Sequence, residues 1–267
     1  MHSVYSNAPL NICGTAGNPK GLFIQRKNEH IHTGPIKIEW DVLRGGIYFC
    51  MIQSVWHLEV YSSRLNSRGW VLQERLLSQR NLHFEENQLY WECQQQTACE
   101  LTPDEFYGGM HPASHTQKVL GSEHGEAMRD DTETGENNAL SACATWNMIV
   151  ETYCSSKLTF GTDKLVAIST LARHCQTHLG LEGEYLAGLW SSYLGYQLLW
   201  ETHPYSHGKR QQGYRAPTWS WASIDGAVYE SCRIAYGDER DIMIQVKGWK
   251  IDLASKDRYG VVSAGYI

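Results

Sequence analysis

No run of Lys and Arg, no CxxC pair, no Asn-x-Ser/Thr and no apolar stretch of membrane-spanning length occurs in this sequence. Each absence excludes something. Without a basic stripe, a nucleic-acid footprint has no support. The longest uncharged run of note, Tyr185–Trp200, is too short and too rich in Ser, Tyr and Gln to span a bilayer. Met1–Leu10 has neither the basic start nor the apolar core of a secretory signal. Eight cysteines without regular spacing read as free thiols in a reducing compartment. The expectation is a soluble, cytoplasmic protein. Walker, GxGxxG, GxSxG and HExxH patterns are missing as well, which removes the commonest nucleotide, hydrolase and zincin readings.

Charge is sparse at 19% of residues, and the net charge of −6 is local. Between Leu101 and Ala139 eight acids face two bases, Lys118 and Arg129, and the rest of the chain balances. That segment reads as an acidic linker or long surface loop. Aromatics, by contrast, are plentiful. Ten Trp and fifteen Tyr imply an indole-rich core whose N–H and O–H groups need polar partners.

Gly and Pro punctuate the first forty residues, which read as loop. Ile36–Val42 and Ile47–Ile52 are candidate strands around Gly45-Gly46. A short helix follows, with Ser67 as its predicted N-cap and Leu76-Leu77 at its end. Asn81–Phe84 and Leu89–Cys93 fit a hairpin around Glu85-Glu86-Asn87-Gln88. Beyond the acidic segment, Leu140–Tyr153 is a predicted helix with Cys143, Trp146, Ile149, Val150 and Tyr153 on one face. A second starts at Thr162 as N-cap, with Leu165, Ile168, Leu171, Ala172 and Cys175 on its apolar side. Gly188–Trp200 is a third helical candidate. Thr218–Ser223, Ala227–Ala235 and Asp241–Leu253 are predicted strands, with Asp225-Gly226 as a turn.

Four clusters carry possible chemistry. Cys93, Cys99, His111 and His115 approximate a zinc spacing, but the first gap is too long for the usual knuckle, so no metal is assigned. His174, Cys175 and His178 share a helical turn without an identifiable partner acid. Trp219 and Trp221, in a strand, would share one face and cover a helix layer. The fourth cluster is the stretch Ser67–Cys93. There Trp70 and Glu74 are i,i+4 neighbours and Arg68 and Arg75 align at i,i+7. The block reads either as a salt-bridged helix start or as a polar constellation in a cleft, with Glu74 as acid, base or ribose-hydroxyl acceptor.

The block Arg68-Gly69-Trp70-Val71-Leu72-Gln73-Glu74-Arg75-Leu76-Leu77-Ser78, with Leu82-His83-Phe84 and Leu89-Tyr90-Trp91-Glu92-Cys93, resembles the third motif block of the fungal heterokaryon-incompatibility (HET) domain. Thr15-Ala16-Gly17 and Gly21-Leu22-Phe23 extend the likeness upstream. Downstream, Leu158-Thr159-Phe160, Asp163-Lys164-Leu165, Tyr185–Trp190 and Ala216–Ser223 look like the region that often follows that domain. Two earlier family blocks, Ser-Tyr-x-Trp-Gly and Asp-x-x-Cys-Ile-Asn-Gln, are not found, so the chain is expected to correspond to the later part of such a protein. The resemblance implies an α/β or α+β fold. Residues 1–100 would form the C-terminal part of a TIR-like HET domain, 101–139 a linker, and 140–267 a helical segment plus an antiparallel β region. It implies a role in non-self recognition, innate immunity and programmed cell death, as an interaction or regulatory module with protein partners or self-association. The alternative it implies is a TIR-like NAD-cleaving enzyme completed by another chain. In that case Glu74 would be the catalytic candidate, Arg68, Trp70 and Gln73 would be binding candidates, and NAD would enter only there.

Overall fold

The computed structural model describes residues 2–15, 36–39, 47–50, 56–86, 88–100, 103, 135–206, 208–230 and 244–267. It contains both helices and mixed or antiparallel sheets, the α/β or α+β class the sequence implies. A short helix α1 (His2–Ser6) precedes strand β1 (Asn11–Gly14). The predicted strands near residue 40 are β2 (Ile36–Glu39) and β3 (Ile47–Cys50), paired antiparallel. A π-helical turn, His57–Tyr61, leads toward α2 (Gly69–Leu77). Strands β4 (Arg80–Phe84), β5 (Leu89–Cys93) and β6 (Thr97–Cys99) follow. The predicted hairpin is present, with His83 opposite Tyr90.

Four of these strands form one sheet in the order β1-β4-β5-β6. β1 runs parallel to β4, and the remaining pairs are antiparallel. Register places two rows on one face: Asn11, Asn81, Glu92 and Thr97, then Cys13, His83, Tyr90 and Cys99. This polar-bearing face is the inward one, since Asn81, His83, Tyr90 and Glu92 are fully buried, whereas Ile12 on the opposite face is 53% exposed.

Helix α2 starts differently from expectation. Arg68, extended, occupies the N-cap and supplies no side-chain cap. Ser67 Oγ instead donates to Arg64 O at 2.8 Å. A backbone bridge caps the helix in its place, with Gly69 N donating to Lys157 O (2.8 Å) and Lys157 N to Ser67 O (2.7 Å). The orphan first-turn amide is thus satisfied from a distant segment. A side chain would not fit there, because a Cβ on Gly69 would sit 2.7 Å from Leu158.

The second half begins with α3 (Gly135–Cys154), five residues earlier than the sequence indicates. Its predicted apolar face is buried throughout, Cys143, Trp146 and Ile149 completely. Gly161–Asp163 is a 3-10 turn, and helix α4 (Val166–His178) begins after it, so exposed Thr162 caps nothing. The predicted apolar side of α4 is likewise buried. Gly188–Trp200 is not one helix. It breaks into strand Leu189–Trp190, a 3-10 turn, the short helix Leu194–Gln197 and the start of strand Trp200–Thr202. Gln197 Oε1 takes the Trp190 amide at 2.7 Å, replacing a helical bond. Val228–Glu230 pairs with Trp200–Thr202, and Lys250–Leu253 pairs with Val262–Tyr266. Of the predicted strand Asp241–Leu253, Lys250–Leu253 is strand and 244–249 has no regular structure. Residues 40–42, 51–52, 231–243 and most of the acidic segment lie outside the described residues.

Leu72, Leu76 and Leu77 of α2 share one apolar core with α3, α4 and the Trp-rich turns beyond them. The Arg68–Ser78 block and the helices downstream of it are therefore packed together.

Candidate functional site

The inward face of the sheet holds a charged network that α2 closes from above. Arg75, from the second turn of α2, reaches down onto Glu92 of β5 with two parallel bonds, Nε to Oε2 and Nη2 to Oε1, both 2.7 Å. His83 Nε2 lies 3.1 Å from Glu92 Oε2. Because a carboxylate only accepts, that nitrogen carries a proton. Asn81 Nδ2 donates to Arg75 O at 3.0 Å and its Oδ1 accepts from Asn11, tying β1 and β4 to the end of α2. Arg75, His83 and Glu92 are all at most 2% exposed.

Burial alone would raise the Glu92 carboxyl. The Arg75 charge and the bonds from His83 and Arg75 outweigh it and hold the group down at about 2. Burial lowers His83, which the bond to Glu92 opposes only in part. Burial also pushes the Cys13 thiol up to about 12, so beside this network it is an inert core group. Trp56 packs edge-on against both His83 and Tyr90.

Beyond Tyr90 the polar chain continues. Its hydroxyl donates to Glu59 at 2.9 Å and accepts from Gln88 at 2.7 Å. Glu85 accepts from Thr15 Oγ1 at 2.8 Å, and burial, reinforced by Glu59, raises its carboxyl to about 7. A folded-state value above the unfolded one contributes stability at low pH that is lost as pH rises from the ordinary carboxylate range through about 7. Glu85→Gln should therefore gain stability relative to wild type at about pH 8 and show little difference at about pH 5. Urea denaturation at both pH values checks this, and a constant difference across the range would contradict it.

The four residues singled out from the block occupy four different settings. Arg68 is exposed at the helix entry, and Trp70 packs against the large core. Gln73 is 1% exposed, and neither end of its amide has a partner among the described residues. Glu74 is half-buried beside the Tyr5 hydroxyl, whose proton is held more tightly through burial and the bond to Glu74. The groups the structure does converge are Arg75, Asn81, His83 and Glu92. Their signal in the sequence is faint. It consists of His and Glu on the same face of paired strands, flanking a hairpin turn.

The aromatic motif Arg215–Ser223 is a turn followed by the 3-10 segment Trp221–Ser223, not a strand, so Trp219 and Trp221 do not share a face. Ser220 caps that segment, accepting from Ala222 N at 3.0 Å, and donates to Ala187 O at 2.5 Å. The indole N–H groups of Trp146 and Trp221 both donate to Gly188 O, at 2.9 and 3.0 Å. Arg215 bonds Ala222 O, Asp225 and Gly161 O, and Lys164 Nζ bonds Ile224 O. The motif locks the core. His174 and His178 stack at 4.1 Å, and burial raises the Cys175 thiol. Among the described residues no group of three or more His, Cys, Asp or Glu is arranged to hold a metal, and His111 and His115 lie outside them.

No family model, curated protein or solved structure matches the chain.

Proposed function

We propose that the chain is an interaction or regulatory module of the heterokaryon-incompatibility type, acting in non-self recognition and programmed cell death through protein partners or self-association. One observation carries this reading: in the HET-like block the Arg75 and Glu92 charges neutralise one another beneath the surface, and His83 is hydrogen-bonded to the same carboxylate. In that arrangement they are matched to one another instead of being presented to a substrate. The parallel β1–β4 pair, with α2 leading directly into β4, supports a TIR-like arrangement of this part of the chain. Among the described residues no helix is long and apolar enough to cross a membrane.

Catalysis of the NAD-cleaving kind would centre on Glu74. For a module without catalysis, Glu74→Gln should leave cell death and the NAD pool unchanged on induced expression in a filamentous fungus. NAD loss with the wild-type chain that Glu74→Gln abolishes would establish the enzyme instead.

A further inference from the structure

Between the turn at His57–Tyr61, the entry to α2 and the C-terminal end of α3 lies a cleft of about 210 Å³. That is room for a small organic molecule, not for a single water. Six of its ten lining residues carry hydroxyls, only Leu72 is aliphatic, and among the described residues no carboxylate lines it. We propose that this cleft binds a small neutral polyol of monosaccharide size.

Existing hydrogen bonds decide what the walls can offer. Ser67, Ser155 and Ser156 each give their proton to a backbone carbonyl, at Arg64, Glu151 and Tyr153 respectively. Toward a ligand their oxygens are therefore acceptors. Asn66 likewise donates to Val60 O, leaving its carbonyl oxygen to accept. The carbonyl end of α3 adds partial negative charge at the same wall. A ligand must consequently bring donors.

Arg75 forms part of the lining as a 2%-exposed side chain, but its charge is matched by bidentate Glu92. A free anion thus finds no uncompensated cation, and the acceptors at the other wall oppose it. Hydroxyl groups, which donate and accept, satisfy both walls. His57 and Tyr61, stacked at 5.1 Å, add an aromatic edge to the site. An occupant would touch the Arg68–Ser78 block and the downstream helix at once.

The test uses the full chain, isotopically labelled, titrated with ribose, glucose and myo-inositol, and with ribose 5-phosphate as the anionic counterpart. Amide shifts confined to residues 57–67 and 152–156 are expected, with millimolar affinity for at least one neutral polyol. Ser155 is exposed at the end of α3, and Ser155→Phe fills the cleft. It should weaken binding by about tenfold or more without lowering the melting temperature. The isosteric Thr152→Val, which removes one hydroxyl, should weaken it by about two- to tenfold and decides the matter if Ser155→Phe misfolds. Binding of ribose 5-phosphate alone, unchanged shifts with every neutral polyol, or equal binding by the folded variants would overturn the proposal.

Discussion

Glu92→Ala is expected to destabilise the fold by about 3–5 kcal/mol. The substitution removes the acceptor of the bidentate Arg75 bonds and leaves a guanidinium 2% exposed with its charge uncompensated. It also strips the bond that fixes the His83 proton. A loss of this size is a large share of the stability of an ordinary domain. In a chain of 267 residues it corresponds to a melting temperature lower by roughly 10 °C. The double change Arg75→Met/Glu92→Met provides the contrast. Removing both charges should cost less than Glu92→Ala, because the penalty arises from the orphaned charge and not from the lost bond itself. Thermal and urea denaturation of the three proteins measures it. A double variant that is less stable than Glu92→Ala would show that the pair is strongly stabilising in its own right.

Gly188→Ala should be comparably severe, at roughly 2–5 kcal/mol. Gly188 has φ +105°, and a Cβ there would meet the Trp221 indole at 2.6–2.7 Å. The displaced indole is one of the two that donate to Gly188 O. Moving it would also disturb Ser220, which holds Ala187 O at a residue that itself has φ +48°. Gly213 is the matched control. Its φ is +95°, yet an added Cβ would meet nothing within 4 Å. Gly213→Ala should therefore show backbone strain alone, about 1 kcal/mol. Equal losses at the two positions, measured by urea denaturation, would mean that the indole clamp contributes nothing.

Much of this architecture is legible in residue pattern. The apolar faces of α3 and α4 follow a helical period, and the β4–β5 hairpin follows from two short apolar runs around a polar tetrapeptide. What the pattern does not show is which sheet face turns inward. Leu82 and Trp91 alternate with His83 and Glu92, and apolar preference alone would bury the former pair. The structure buries the latter, because Arg75 of α2 supplies the countercharge from outside the sheet. That is a long-range pairing no local period encodes. Capping of α2 is hidden for the same reason. The bonds that start the helix come from Lys157, far along the chain, so a serine in the expected cap position has no capping role. The expected Trp219/Trp221 strand does not form because Pro217 and Ser220 make a turn there. Ser220 N donates to Pro217 O, and Ser220 Oγ accepts from Ala222 N. Within the candidate site, Glu74 stands out in the sequence as an acid in an apolar run. Arg75 stands out only for its alignment with Arg68, although it is the residue that enters the buried network.

If the polar residues of this block form a closed, neutralised interior network, the protonation state of His83 reveals it most directly. Ring-nitrogen NMR across a pH series follows that state. A ring with its proton on Nε2 is predicted, taking up a second proton only below the ordinary histidine value of about 6.5. A His83 ring that titrates reversibly near about 6.5 in the folded protein, or carries its proton on Nδ1, would contradict it.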